Sequence, residues 1–210
     1  AELGVADFDL YVKTAPAAAG PIPLRVEPGN PPALIIGDAI GELGAAAMRF
    51  AAARALRLAA THLDAILAVP QEEAGALLVG IIRQFVPDYR HTAVREELAR
   101  PETARAERAI PRKLKPALVP FAVESAGPFD LPALYAATRD GANAVGLLAA
   151  ADLPAALSVI LEIGGTILTP PPGGGPGLTL PAIGANPEAL SLLRFAVSDD
   201  YDDLSRELES

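Results

Sequence analysis

The stretch from Gly41 to His62, GELGAAAMRFAAARALRLAATH, constrains this fold more than any other. Alanine is the best helix former, and after Gly44 nothing in the stretch breaks a helix until its end. On a helical wheel Arg49, Arg54 and Arg57 fall within one sector. The opposite side carries Ala, Met48, Leu56 and Leu58, small enough for neighbouring helices to approach closely. The expectation is a central helix over 41–62 with one cationic face, entered from the apolar run Pro32-Ala-Leu-Ile-Ile-Gly37. Hydrophobic residues make up 51% of the chain but aromatic ones only 5%, so the core must be built from Ala, Leu, Ile and Val.

Around that helix the chain divides readily. Asp7 to Lys13 alternates polar and apolar residues, as a half-buried strand does. Pro23 to Glu27 and Ala33 to Ile36 read as two more short strands, separated by the turn residues Pro28-Gly-Asn-Pro-Pro32. Three short strands need a helix against one face to be stable. Beyond the central helix, His62 to Val69 continues or restarts it until Pro70. Gln71 to Val86 has Leu77, Leu78, Ile81, Ile82 and Phe85 at helical spacing. Thr92 to Ile110 is charged, with Pro101 opening a second helical piece, and Lys113 to Glu124 is apolar on one side. Asp130 with Pro132, and Asp152 with Pro154, are N-cap signals for two further helices, the second ending at Gly164 and Gly165. Thr169 to Ala185 is a Pro/Gly-rich loop, and Asn186-Pro187 caps a last helix. The chain is therefore expected to form one domain over 1–210. Its parts are a small sheet (1–37), a helical core (41–164), a loop (165–185) and a C-terminal helix (186–210).

Composition excludes several function classes. A formal charge of −9 argues against non-specific nucleic-acid binding. Without cysteine there is no disulfide, thiolate ligand or thiol nucleophile, which fits a cytoplasmic protein. The N-terminus, AELGVADFDL, has no basic region followed by an apolar one, and lacks Met, as expected of a segment of a longer protein. The most apolar window, Ala142 to Ile163, is interrupted by Asp152, Pro154 and Glu162, so a buried helix pair is expected there and no membrane span. The histidines are His62, expected at a helix end, and His91, expected in an exposed turn.

Catalytic patterns are missing as well. There is no G-x-S-x-G, and the GGGPG run has no Lys-Ser/Thr after it. Asp199-Asp200-Tyr201-Asp202-Asp203 lacks the spacing of a calcium loop and reads as a solvated helix start. Arg95, Arg100, Arg105, Arg108, Arg112, Lys113 and Lys115, with four glutamates among them, suit a solvated helix face laced with i,i+4 pairs.

The order of small sheet, PALIIG and long helix resembles the way HExxH metallopeptidases of the CAAX prenyl protease, HtpX and BepA type present their zinc helix. Their pattern "elrfvlgHElgHi" is similar to LGAAAMRFAAARALRLAATH here. The alignment puts Arg54 at the first His, Ala55 at the Glu and Leu58 at the second His. In such enzymes the histidines bind zinc and the Glu activates water. A later helix supplies the third ligand from a pattern like "EADRaGLLLAGDleAALraL". The matching text runs from Gly141 to Leu157, with Gly141 at the ligand Glu and Asn143 at the following Asp. The resemblance covers roughly 23–62 and 139–161 and rests on framework residues.

What the resemblance implies is a zincin-like, predominantly helical α+β domain that has lost its metal chemistry: no enzyme, no metal, no cofactor. It further implies a structural or protein-binding module, as at the C-terminus of large repeat-containing bacterial proteins. A vestigial cleft lined by Arg54, Arg57, Arg139 and Asn143 would hold an extended or acidic peptide, or helical repeats of the same parent chain. Two other classes stay open: a helical scaffold or oligomerisation domain, and a hydrolase using carboxylates such as Asp140 and Glu162.

Overall fold

The computed structural model describes residues 7–13, 24–27, 29, 31–37, 43–127, 129–163 and 178–209. Among these the chain is α+β and predominantly helical. It divides into two compact units, one formed by Ala1–Ala65 with Ala136–Ser210 and the other by Ile66–Tyr135. Among the described residues no helix is long and apolar enough to cross a membrane.

The first unit opens with a sheet of β1 (Asp9–Lys13), β2 (Leu24–Glu27) and β3 (Ala33–Gly37) in the order β1-β3-β2. The apolar centre is β3, parallel to β1 and antiparallel to β2. The alternation in DFDLYVK suggests a half-buried strand, yet all five residues of β1 are exposed. The reason is cover. The central helix α1 (Ala45–Thr61) packs on β2, at the opposite edge of the sheet from β1. This helix starts and stops within the expected bounds. His62 caps its C-terminus in the left-handed region, with its N–H bonded to the Ala59 carbonyl. That reversal breaks the helix, so the chain restarts as the one-turn α2 (Asp64–Leu67).

Helix α6 (Leu131–Ala150) crosses α1 with contacts that run in opposite senses along the two, from Arg49 and Ala150 to Arg54 and Asn143. Between them Phe50 is fully buried and lies against Gly146, where an added Cβ would stand 2.8 Å from the ring. The Arg49 guanidinium donates to the Ala150 carbonyl at 3.3 Å, a cation on a helix C-terminus. The core around Phe50 includes Leu147, Val159 and Ile160, closed by Ile183 and Leu192. These come from α6, α7 (Leu153–Ile163), α8 (Leu180–Ala185) and α9 (Pro187–Ala196). Both predicted aspartate caps form. Asp130 Oδ1 accepts from Ala133 N–H at 3.0 Å, and Asp152 Oδ1 from Ala155 N–H at 2.9 Å.

Two expectations change at the C-terminal end. The loop expected over 169–185 lies outside the described residues as far as 177, but Leu180–Ala185 is a helix, started by the Thr179 hydroxyl accepting from Ala182 N–H. The single helix expected from 186 is two. Asn186 caps α9, and Ser198 restarts the chain as α10 (Asp199–Glu209), whose first turn holds the acidic run.

The second unit packs α3 (Gln71–Ile82) against α4 (Glu96–Ala109), with α5 (Lys115–Glu124) and the first turn of α6. A Cβ on Gly80 would stand 2.6 Å from the Glu102 carbonyl carbon, so the two backbones meet there. Pro101 does not begin a new helical piece. Helix α4 runs through it: the ring removes one N–H and crowds the Glu97 carbonyl, but both residues are exposed, so water can reach that carbonyl. The charges of 94–115 are also used differently from the expected i,i+4 lacing. The local bridges are Arg105–Glu102 at i,i+3 and Arg95–Glu97, two residues apart. Arg95 also reaches Glu72, and Glu96 reaches Arg83, both across to other parts of the unit. His91 is not an exposed turn residue. It is half-buried, stacked on Phe129 with centroids 3.9 Å apart, and its Nε2 lies 2.8 Å from the Phe129 carbonyl.

Candidate functional site

Arg54 sits one turn after Phe50 and one turn before Leu58, both buried, so the helix aims its side chain along the core-facing stripe. A guanidinium there must be paired. Its Nε–H donates to Asn143 Oδ1 at 2.7 Å, and its Nη2 lies 3.7 Å from Glu188 Oε2. Asn143 is itself only 1% exposed and donates from Nδ2 to Glu188 Oε2 at 3.3 Å. Arg139, one turn earlier on α6, closes the cluster with Nε 3.3 Å from Glu188 Oε1. Three helices, α1, α6 and α9, thus meet through two guanidinium groups, one amide and one carboxylate.

The electrostatics follow from that inventory. Burial pushes the Arg54 pKa down from its ordinary value; Glu188 opposes the shift and Arg139 adds to it. A guanidinium nevertheless stays protonated in a protein, so the cluster carries two positive charges against one negative.

Of the four residues expected to line a cleft, Arg54, Arg139 and Asn143 are brought together, whereas Arg57 is exposed on α1. Of the other positions that the resemblance assigns to the metal centre, Ala55 and Leu58 are buried, while Gly141 is exposed with open space where a Cβ would stand. The residue that sequence reasoning missed is Glu188. It stands in the first turn of α9, where an acid is ordinary, and only the fold shows that it faces two arginines.

These residues do not fit a zinc ion. The amide oxygen of Asn143 is engaged by Arg54, and the carboxylate of Glu188 is shared between two guanidinium groups. A divalent cation would have to enter beside two fixed positive charges and displace both. Among the described residues no group of three or more His, Cys, Asp or Glu is arranged to hold a metal.

The second unit has a polar recess of about 350 Å³, lined by Arg83, Tyr89, Arg90, Glu96, Arg100 and Glu107 among others. Arg83 is spent within the fold. Its Nη1 donates to Glu96 Oε1 at 3.0 Å, and its Nη2 donates to Glu96 Oε2 at 2.7 Å, a two-pronged bridge. Its Nε–H donates to the Tyr89 carbonyl at 2.9 Å. The Arg83 hydrogen bonds hold the Glu96 carboxyl below its ordinary range. Burial raises the Tyr89 phenol, whose hydroxyl donates to the Gly127 carbonyl at 2.9 Å. The recess holds as many acids as bases and has no nucleophile–base pair.

No protein-family model, curated protein or solved structure matches this chain.

Proposed function

We propose that this chain is a catalytically inactive, metallopeptidase-like module serving as a structural or protein-binding domain of a larger bacterial protein. The observation that carries the reading is Arg54. It occupies the position that the resemblance gives to the first zinc ligand, and it is tied to Asn143, two residues after the position of the third ligand, and to Glu188. A cation fixed there substitutes for the metal as the link between α1 and α6 and supplies neither a Lewis acid nor a base. The chain's lack of cysteine accords with a cytoplasmic setting.

The binding role falls to the exposed cations at this end of the unit. Arg57 is exposed and Arg139 is partly so. With Glu188 already shared, the cluster keeps a positive surplus for an acidic, extended segment of a partner or of the parent chain. Two measurements test the two halves of the reading. After equilibration with zinc and desalting, the chain should retain no stoichiometric metal, and its melting midpoint should not respond to chelator. One zinc per chain with a chelator-sensitive midpoint would overturn the inactive reading. For binding, a fluorescent glutamate-rich peptide should bind in low salt, and Arg57→Glu should weaken it severalfold with the melting midpoint unchanged. Equal binding by both proteins would remove Arg57 from the role.

A further inference from the structure

The least explained feature of the fold is β1. Its five residues are all exposed, including Leu10 (56%), Tyr11 (55%) and Val12 (74%). Among the described residues β1 borders β3 alone, and none of them lies along its outer edge. Open apolar edges are templates for strand addition, and proteins usually blunt them.

The register shows what would fit that edge. Leu10 pairs with Leu34 and Val12 with Ile36, so these two side chains lie on the same face of the sheet as buried Leu34. They extend an apolar face that the rest of the unit covers at β3 and leaves bare at β1. The Asp9 N–H is bonded inward to the Pro32 carbonyl at 2.9 Å. Successive backbone groups of a strand point to opposite edges, so Asp9, Tyr11 and Lys13 face β3, and the N–H and C=O of Leu10 and Val12 face outward.

The strand is also symmetric in charge. Reading DLYVK against itself antiparallel about Tyr11 puts Asp9 opposite Lys13, Leu10 opposite Val12 and Tyr11 opposite Tyr11. In that register the outward groups of Leu10 and Val12 form two hydrogen-bonded pairs, each exchanging two backbone bonds. Both ends close with an opposite-charge pair, and the bare apolar face continues across the twofold axis. A parallel pairing in register would instead set Asp9 on Asp9 and Lys13 on Lys13.

We propose that the partner of this edge is a second copy of the chain, joined β1 to β1 antiparallel about Tyr11 into a continuous six-stranded sheet. The proposal is independent of the metal and of Arg57.

Sedimentation of the intact chain over a concentration series tests it. The weight-average mass should rise from 21.6 kDa toward twice that value. Asp9→Lys and Lys13→Asp should each weaken dimerisation by about tenfold, because each change acts twice across the axis. The double swap, Asp9→Lys with Lys13→Asp, should restore it to within about threefold, since the opposite-charge pairs re-form. Circular dichroism of each variant checks that the substitutions, all at exposed positions, leave the fold intact. A mass that stays at one chain throughout, or a double swap no better than the single changes, overturns the proposal. So does a dimer that Val12→Asp leaves intact, since that dimer would use another surface.

Discussion

The two units are fastened by the same pair of devices, a glycine at a close helix crossing and an arginine bridged to a glutamate, used in opposite ways. In the first unit, Gly146 admits the Phe50 side chain and Arg54 points from mid-helix into the core stripe, where a buried amide and a shared carboxylate hold it. In the second, Gly80 admits the backbone of α4, and Arg83 caps the C-terminus of α3 with a carboxylate that is 53% exposed. The difference is who satisfies the charge when a partner is lost. Both guanidiniums are mostly covered, Arg54 16% and Arg83 10% exposed, so the contrast lies in the partner: Glu96 is half in solvent, whereas Asn143 lies buried.

Removing that amide should have the largest effect. Asn143→Ala strands the Arg54 Nε–H beside an apolar crossing. It should cost about 3 kcal/mol, read as a shift of the urea midpoint at constant slope. A loss within experimental error would mean that Arg54 finds water and that the two arginines are alike. Next come the glycines. Gly80→Ala should cost about 2 kcal/mol and Gly146→Ala about 1 kcal/mol. At Gly80 the added carbon meets backbone at 2.6 to 2.8 Å, whereas at Gly146 it meets the Phe50 ring at 2.8 Å and backbone, the Phe50 carbonyl oxygen, only at 3.0 Å. Equal losses would show that α4 shifts as easily as a side chain.

The smallest effect concerns pH. Glu96 has a folded pKa held below its unfolded value by Arg83, so its contribution is present above the ordinary glutamate range and is lost as pH falls through the lowered value. The melting midpoint of the native chain should therefore fall more steeply in acid than that of Glu96→Gln. Parallel profiles would place the acid sensitivity elsewhere.

How far the sequence could carry this picture is plain from individual residues. The caps at Asp130, Asp152 and Asn186 were legible because a cap is a local bond between near neighbours. The inward aim of Arg54 was also present, in Phe50 and Leu58 one turn away on either side. A wheel read for charge groups Arg54 with Arg49 and Arg57 instead, although the three have different surroundings. Asn143 likewise stands one turn before buried Leu147. Glu188 could not be found that way, since nothing near position 188 records which side chains from 54, 139 and 143 will meet it. The exposure of β1 was equally hidden: alternation shows that a strand has two faces, and only the placement of α1 decides whether either is covered.

The division of the chain bears on the order in which it can fold. The second unit is continuous from Ile66 to Tyr135, and the Tyr135 hydroxyl lies 2.7 Å from the carbonyls of both Ile66 and Val69, near the start of the segment. The first unit is made of both ends of the chain. As the polypeptide leaves the ribosome, Arg54 emerges long before Glu188, and the intervening segment has all its own contacts available first. An interaction made only after the transition state slows unfolding and leaves the folding rate alone. Glu188 is on these grounds a latch whose loss should quicken unfolding while leaving the refolding rate nearly unchanged.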